Sequence, residues 1–186
     1  MAEKTTKTSN DRVVIKNFLE KIVVDAGVGR LGQQPSFEEK ILPQVTRDIA
    51  SVAGQQPQVR RAKESIAGFK LREGQIVGLR VTLRGEKMVD FFERLITIVL
   101  PRVRDFSGLE RSAIDQGGTL NVGLRDHFVF PEISPENSPV SFSLGMSIVP
   151  KRKNHDASVA KFNELGVPMK KDDAKTTKAR KVVKKK

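Results

Sequence analysis

Cysteine is absent from the 186-residue chain, and so is any long apolar run. Without cysteine the chain has neither a disulfide framework nor a thiolate metal site, which excludes thiolate-bound structural zinc. No stretch approaches the roughly 20 apolar residues that cross a bilayer, and the polar start MAEKTTKTSNDR lacks the apolar core of a signal peptide. We therefore expect a soluble cytoplasmic protein with no membrane partner.

Positive charge, by contrast, is abundant: the net charge is +12 and the pI is about 10.1. This exceeds what solubility requires and indicates a polyanionic partner. Residues 170–186 contain nine basic and two acidic residues, so they carry +7 of the total. Because 38% of the residues are hydrophobic, one core is expected. We predict a flexible lead-in over 1–12, a single α+β domain over 13–169 and a basic disordered tail over 170–186.

The clearest helix signal lies in the first third of the chain. Ser36 with Glu39 three residues later forms a capping-box pattern, and Gly54 is placed to end the helix. Pro43 lies inside this segment and predicts a kink or a late start.

Two further helices are predicted from apolar residues at helical spacing. One runs from about residue 86 to residue 100 and is ended by Pro101. The other runs over 156–165 and is stopped by Gly166.

Three segments have strand patterns: the apolar, β-branched stretch 18–24 and the alternating stretches 77–83 and 140–148. Together with the helices they predict an α+β fold, with an antiparallel sheet, helices packed on one face and the other face open. The residues predicted on the open face are small or polar: Gly78, Arg80, Thr82, Ser141, Ser143, Gly145 and Ser147.

The composition of this open face suits close approach by a sugar-phosphate backbone. Hydroxyl groups and Arg80 are residue types that contact phosphates and 2′-hydroxyls, and small side chains do not hold the partner away. An ordinary solvated face has a similar composition. Both interpretations stay open on this pattern alone.

A second candidate contact is the stretch RRAKESIAGFKLREG at 60–74. It lies between the first helix and the strand at 77–83, and we predict a hairpin tip or a long loop that binds nucleic acid. Phe69 is available to pack or to stack on a base. The cations that would meet phosphates are Arg60, Arg61, Lys63, Lys70 and Arg72.

An enzyme must also be considered, because Gly27 to Gly32 matches G-x-G-x-x-G after a strand. In a dinucleotide-binding site these glycines open the helix directly, whereas here three residues and the predicted cap at Ser36 intervene. The acidic residue expected about 20 residues later is missing, since Asp48 falls inside the predicted helix. We interpret the glycines as a tight turn.

The two histidines offer no catalytic or metal-binding arrangement. His127 follows Asp126 directly, and adjacent residues of a strand point to opposite faces. His155 lies beside a basic cluster and is interpreted as a surface residue. We therefore predict no catalytic residue, no metal site and no cofactor.

Three stretches together closely resemble one protein family. They are KESIAGFKLREG at 63–74, VTLRGEKMVDFFERLITIVLPRVRDFSGL at 81–109 and FPEI at 130–133. In this order and at this spacing they are similar to the bacterial-type large-subunit ribosomal protein L-five family, the binder of 5S rRNA. The similarity covers about residues 18–169, and the long middle stretch is highly specific.

The resemblance implies a noncatalytic α+β protein of the cytoplasmic ribosome, whose sheet and turns hold 5S rRNA in the central protuberance. It also implies contacts with 23S rRNA, with neighbouring large-subunit proteins and, across the intersubunit bridge, with a small-subunit ribosomal protein. The basic loop is implied to reach the peptidyl-site tRNA. With the open face included, the predicted 5S rRNA-binding residues are Asp25, Gln55, Arg80, Thr82, Ser141, Ser143 and Ser147.

One of these positions departs from the family. Asp25 stands where the family usually has asparagine, whereas Gln55 and Thr82 match. A carboxylate only accepts hydrogen bonds and repels phosphate, so Asp25 must meet base or 2′-hydroxyl donors or turn away from the RNA.

The two ends also differ from the family pattern. Relatives usually begin with an additional helix before the first strand, and the short polar lead-in predicts none here. The basic tail is extra, and we predict that it lies along rRNA after assembly. Besides the weak enzyme alternative, a general RNA-binding chaperone whose tail dominates binding stays open.

Overall fold

The computed structural model describes residues 9–34, 36–136 and 138–170. Its centre is a five-stranded sheet in which all neighbouring strands are antiparallel and the spatial order is β2-β3-β1-β5-β4. The predicted α+β fold with an open antiparallel sheet is confirmed. The strands are β1 (Leu19–Gly27), β2 (Gln58–Arg61), β3 (Ile76–Leu83), β4 (Leu120–Leu124) and β5 (Leu144–Pro150).

Helices cover one face of the sheet, where α2 contacts β3 and α3 contacts both α1 and β1. A π-helical turn (Phe37–Ile41) leads into α2, and a π-helical segment (Leu95–Val99) joins α3 to α4 in one continuous helix. The α-helices are α1 (Ser9–Phe18), α2 (Leu42–Ala53), α3 (Gly85–Arg94), α4 (Leu100–Arg102) and α5 (His155–Glu164).

The core lies between the helices and the apolar side of the strands. Val81, Val24, Met146 and Val122 face one another across four strands, and each is at most 4% exposed. Fully burying a side chain of this kind contributes roughly 1.5–3 kcal/mol. The helices fill the other side with Val45, Ile49, Val52, Met88, Phe91, Phe92 and Leu95.

The first predicted helix forms, but its beginning differs from the prediction. Ser36 has a left-handed backbone with φ 64°, and its side chain makes no capping hydrogen bond. A capping box needs an extended N-cap residue, so the prediction at Ser36 is wrong. The α-helix starts late, at Leu42, with Pro43 in its first turn, and Gly54 ends it with φ 64°, as predicted.

The second predicted helix continues past Pro101 to Arg102, so Pro101 does not end it. The π-helical segment explains this: the N–H of Leu100 bonds to the carbonyl of Leu95, and Pro101 lies in the first turn of α4. A proline there needs no N–H partner. The third predicted helix is confirmed as α5, where Asn154 caps the first turn and Gly166 follows with φ 80°.

The strand predictions hold for the centre of the sheet and fail at one end. The strand at 77–83 is confirmed, whereas β5 begins only at Leu144, so Ser141 and Ser143 precede it. Ser141 Oγ donates to Asp126 Oδ1 at 2.9 Å. This side-chain hydrogen bond joins the segment to the loop that follows β4.

Residues 9–18 form a helix before the first strand, and the prediction that this chain has none is wrong. Ile15 is 1% exposed in the core. Arg12 forms salt bridges with Asp90 and Glu93 of α3 at 2.5 and 3.2 Å. Tertiary contacts therefore order a segment that is polar in sequence. The rest of the predicted lead-in, 1–8, and the tail from 171 lie outside the described residues.

Candidate nucleic-acid interface

The open face of the sheet is arranged in cross-strand rows, because directly paired residues of neighbouring strands point to the same side. One row crosses all five strands in the order Gln58, Arg80, Asp25, Gly145 and Gly123. We call this the charged row. It brings two predicted RNA-binding residues, Arg80 and Asp25, into direct contact.

A second row lies beside the charged row and crosses four strands in the order Thr82, Val23, Ser147 and Asn121. We call it the hydroxyl row. Ser147 Oγ donates to Asn121 Oδ1 at 2.8 Å, which fixes the amide of Asn121. The predicted residues Thr82 and Ser147 therefore lie on the same face as Arg80.

Three glycines leave parts of this face without side chains, although the fold does not require glycine at these positions. A Cβ built on Gly27 or Gly123 would meet nothing within 4 Å, and one on Gly145 would meet only the carbonyl oxygen of Asp25 at 3.8 Å. None of the three has a positive φ. Gly78 differs, since a Cβ there would come within 2.9 Å of the Ala26 carbonyl oxygen. Glycine in a strand without an internal reason is typical of a surface that another backbone approaches closely.

The charges on the central face cancel. Arg80 Nε donates to Asp25 Oδ1 at 2.5 Å, and both side chains are partly exposed. The hydrogen bond and the charge of Asp25 raise the pKa of the Arg80 guanidinium above its ordinary value. The remaining side chains of the two rows are neutral, so the centre of the face is polar but carries no net charge.

The stretch 60–74 is the tip of the β2–β3 hairpin, as predicted. Ile66 pairs with Leu71 around a 3-10 turn at Ala67–Phe69, and Lys70 follows with φ 51°. Phe69 is 77% exposed. We call residues 60–74 the basic tip.

The cations of the basic tip are all exposed, and in the described parts of the chain none of them forms a salt bridge. Arg61 Nη1 donates to the Gly74 carbonyl at 3.0 Å, which ties the two sides of the tip together. The basic tip also contains two acidic residues, Glu64 and Glu73, which are outnumbered by its five cations. The tip therefore presents a net positive charge to solvent.

Three predicted residues lie outside the two rows. Gln55 is exposed in the connection between α2 and β2, directly after Gly54. Ser141 and Ser143 are exposed in the segment before β5. The structure does not bring these three into the cross-strand rows.

The sequence reasoning missed four members of the rows: Gln58, Val23, Asn121 and Gly123. The last two lie on β4, which was not predicted. Its sequence LNVGL alternates buried and exposed residues, so the signal was present but only five residues long. Gly145 was placed correctly on the open face.

A buried polar cluster links α2 to the loop that precedes β5. Asp48 Oδ2 accepts from Ser138 Oγ at 2.8 Å and lies 3.7 Å from His127 Nε2. His127 stacks on Phe142 with ring centroids 4.0 Å apart, and burial lowers its pKa even though Asp48 acts to raise it. Because Asp48 lies between the serine and the histidine, the histidine cannot activate the serine.

The glycine-rich stretch from Gly27 does not have the context of a dinucleotide-binding site. β1 has antiparallel neighbours on both sides, whereas that site belongs to a parallel βαβ unit. The Gly32 N–H donates to the Val28 carbonyl at 2.9 Å, so the stretch closes a tight turn.

Over the residues that the structure describes, no group of three or more acidic, histidine or cysteine side chains is placed to hold a metal ion. No helix in the described ranges is long and apolar enough to cross a membrane.

Comparisons with known proteins agree with this architecture. Residues 16–72 match a family model described as Ribosomal protein L5, and residues 76–183 match one that describes the C-terminus of the same ribosomal family. The chain belongs to the ribosomal protein L5 family. The family resemblance proposed from the sequence is therefore confirmed, and the chain is a ribosomal protein.

Individual relatives in this family match most of the chain. Large ribosomal subunit protein uL5 of Chlorobium luteolum is 38% identical over 91% of this chain and 88% of its own length. The uL5 protein of Chlorobaculum tepidum is 42% identical over 82% of this chain and 81% of its own length. That of Brachyspira hyodysenteriae is 43% identical, with coverage of 81% and 78%.

Proposed function

We propose that this chain is a noncatalytic constituent of the large ribosomal subunit that binds 5S rRNA with the open face of its sheet. The observation that carries the proposal is the flat, glycine-lined face formed by the charged row and the hydroxyl row. A low face with fixed polar groups suits RNA, whose shape and 2′-hydroxyls a protein reads at close range. The place of action is the ribosome in the cytoplasm, within the central protuberance.

The basic tip is proposed to contact the peptidyl-site tRNA. Its five cations are exposed and available to phosphates, and Phe69 at 77% exposure is available to stack on a base. The same assembly includes contacts with 23S rRNA, with neighbouring large-subunit proteins and, across the intersubunit bridge, with a small-subunit protein. Membership of the family supports these contacts.

The division of the chain is also a proposal. We infer one RNA-binding domain with the boundaries 13–169, extended by the helical residues that begin at Ser9. Residues 170–186 form a basic extension with a net charge of +7, which contributes affinity for any RNA.

The charge of this extension favours a second candidate, a general RNA-binding chaperone. In that case the extension supplies most of the binding free energy, and unrelated RNAs bind equally well.

Competition binding at near-physiological salt separates the two candidates. The full chain and a shortened chain ending at Met169 are each tested with 5S rRNA and with an unrelated structured RNA of equal length. We expect a strong 5S preference that survives the truncation. Equal binding of both RNAs by the full chain, lost with the tail, would instead establish the chaperone.

A further inference from the structure

The only charged side chains in the two rows form a pair whose presence the fold does not explain. Asp25 and Arg80 are direct cross-strand partners, joined from Arg80 Nε to Asp25 Oδ1 at 2.5 Å. Their side chains are 40% and 44% exposed. Such an exposed ion pair contributes little to folding stability. A role towards a partner is therefore the better explanation.

The pair leaves one edge of the arginine free. Its Nε–H is taken up by Asp25, and the N–H groups of its two Nη atoms make no hydrogen bond to the residues that the structure describes. Next to the pair, Gly145 and Gly123 continue the row without side chains. An RNA group that carries acceptor atoms therefore reaches the Nη edge without obstruction.

Resting on the proposed RNA-binding role of this face, we propose that Asp25 is a positioning residue for Arg80. The Asp25 carboxylate fixes the plane of the guanidinium, so that its two Nη atoms bind a pair of acceptor atoms on 5S rRNA. The matching acceptor pairs are two oxygens of one phosphate, or O6 and N7 of a guanine.

The carboxylate has a second consequence for RNA binding. It cancels the charge of Arg80 at the centre of the face, so an RNA that lacks the matching acceptors gains little from this arginine. A correctly placed acceptor pair still gains two directional hydrogen bonds. Asp25 therefore converts a cation that would attract any RNA into one that discriminates between RNAs. The Asp25 carboxylate is therefore turned towards Arg80 on the same face of the sheet.

Three variants of the full chain test this role: Asp25→Ala, Asp25→Asn and Arg80→Lys. Binding of 5S rRNA and of an unrelated structured RNA of equal length is measured across a salt series, with thermal melts as the folding control. Because the pair is exposed, all three variants are expected to have the same melting temperature as the wild type.

Asp25→Ala is expected to lower the preference for 5S rRNA about tenfold, because the guanidinium of Arg80 is no longer held in the plane that suits the acceptor pair. It should also steepen the salt slope on the unrelated RNA by roughly 0.7–0.9, because Arg80 is no longer neutralised. Asp25→Asn should steepen the slope equally but keep most of the preference, because its amide oxygen still accepts from Nε. Arg80→Lys should lower the preference at least as far as Asp25→Ala does, without a change of slope, because it keeps the charge but not the planar fork.

The chemical source of the acceptors is resolved with modified 5S rRNA. Transcripts with 7-deazaguanosine lack the guanine N7 atom. If Arg80 contacts a guanine, the wild type should bind the modified 5S rRNA more weakly than the unmodified one, whereas Arg80→Lys should bind both equally. A phosphate contact leaves both proteins insensitive to this modification while Arg80→Lys still weakens binding to 5S rRNA.

Two outcomes overturn the inference. One is an unchanged 5S preference in Asp25→Ala, and the other is an equal loss in Asp25→Asn and Asp25→Ala, which would leave no role for the hydrogen bond to Nε. A wild-type chain without any 5S preference is a different result, because it refutes the proposed RNA function itself.

Discussion

The centre of the open face and the basic tip are both suited to RNA, but they differ in almost every physical property. On the face, the charges of Asp25 and Arg80 cancel, hydrogen bonds hold this pair and the Ser147–Asn121 pair, and glycines keep the surface flat. On the tip, five exposed cations and the 77%-exposed ring of Phe69 protrude from a short hairpin. Fixed neutral groups favour shape and hydrogen-bond recognition, whereas unpaired cations favour general attraction to phosphates.

Under the proposed function, this difference separates specificity from affinity within one small domain. The strands that carry the face are held by the core on their other side, so its hydrogen-bonding groups are kept at fixed spacing. The tip has no buried residue between Arg60 and Gly74, so little resists its adjustment to a partner. Each region can therefore be perturbed alone, and the two should respond to different measurements.

The largest effect should come from filling the flat face. Gly123→Val places a branched side chain where a Cβ meets nothing within 4 Å, so the fold should hold. We expect the affinity for 5S rRNA to fall about 100-fold, the equivalent of about 2.7 kcal/mol, because the RNA is held off the charged row. Binding titrations and thermal melts measure both quantities. Ser51→Val, on the exposed side of α2, is the control and should bind normally. Normal 5S binding by Gly123→Val would remove the face from the interface.

Neutralising the basic tip should change the salt dependence of RNA binding and leave the preference for 5S rRNA unchanged. Replacing Arg60, Arg61, Lys63, Lys70 and Arg72 with glutamine removes five exposed cations without touching the core. We expect the salt slope of tRNA binding to fall by roughly 3.5 to 4.5, because each of the five phosphate contacts contributes roughly 0.7–0.9.

The preference of the same variant for 5S rRNA over an unrelated RNA should stay unchanged, which is the control for the face. If the slope stayed as in the wild type, the cations of the tip would not be neutralising phosphates. If the 5S preference disappeared with the slope, the proposed separation of the two regions would fail.

A smaller effect is expected within the hydroxyl row. Thr82→Val replaces a hydroxyl with a methyl group of similar size at a partly exposed position of β3. Affinity for 5S rRNA should fall by about 1 kcal/mol, roughly fivefold, if the hydroxyl is bonded to the RNA. Titration at fixed salt measures this, and tRNA binding by the tip should not change. An unaltered 5S affinity would exclude Thr82 from the site.

The secondary-structure elements could be predicted from the sequence where the interactions that form them are local along the chain. β3 and α2 were predicted because alternation and helical spacing are local patterns that packing reinforced. Helix α1 was missed because it depends on tertiary contacts: Ile15 is buried in the core, and Arg12 meets Asp90 and Glu93 of α3, far away along the chain. Ser36 was misjudged because a capping pattern does not reveal a left-handed backbone.

The residues of the candidate interface were likewise predicted only where a local pattern placed them. Alternation along one strand placed Arg80 and Thr82 on the open face, but it says nothing about which residue of another strand lies opposite. The Asp25–Arg80 pair and the alignment of Gly145 with Gly123 depend on register across three strand pairs. Register is fixed by the buried faces of several strands together, so no single segment encodes it.

The smallest effect should appear on acidification, and it should affect both regions together. Neither surface contains a histidine, whereas His127 is buried beside Asp48 and has a pKa lowered by burial. The unfolded chain therefore binds a proton more readily than the folded one. The contribution of His127 to the free energy of unfolding is fully present above the pKa of this histidine in the unfolded chain, near 6.5. It falls as the pH drops below that value.

Urea unfolding of the wild type and of His127→Phe between pH 7 and pH 5 measures this dependence. The phenylalanine keeps the stack on Phe142 and removes the titration, so the variant should show a flatter stability profile. An equally steep profile in the variant would assign the pH dependence to other groups. Because His127 lies beneath the segment that leads into β5, a loss of RNA binding at low pH should track unfolding and should affect the face and the tip alike.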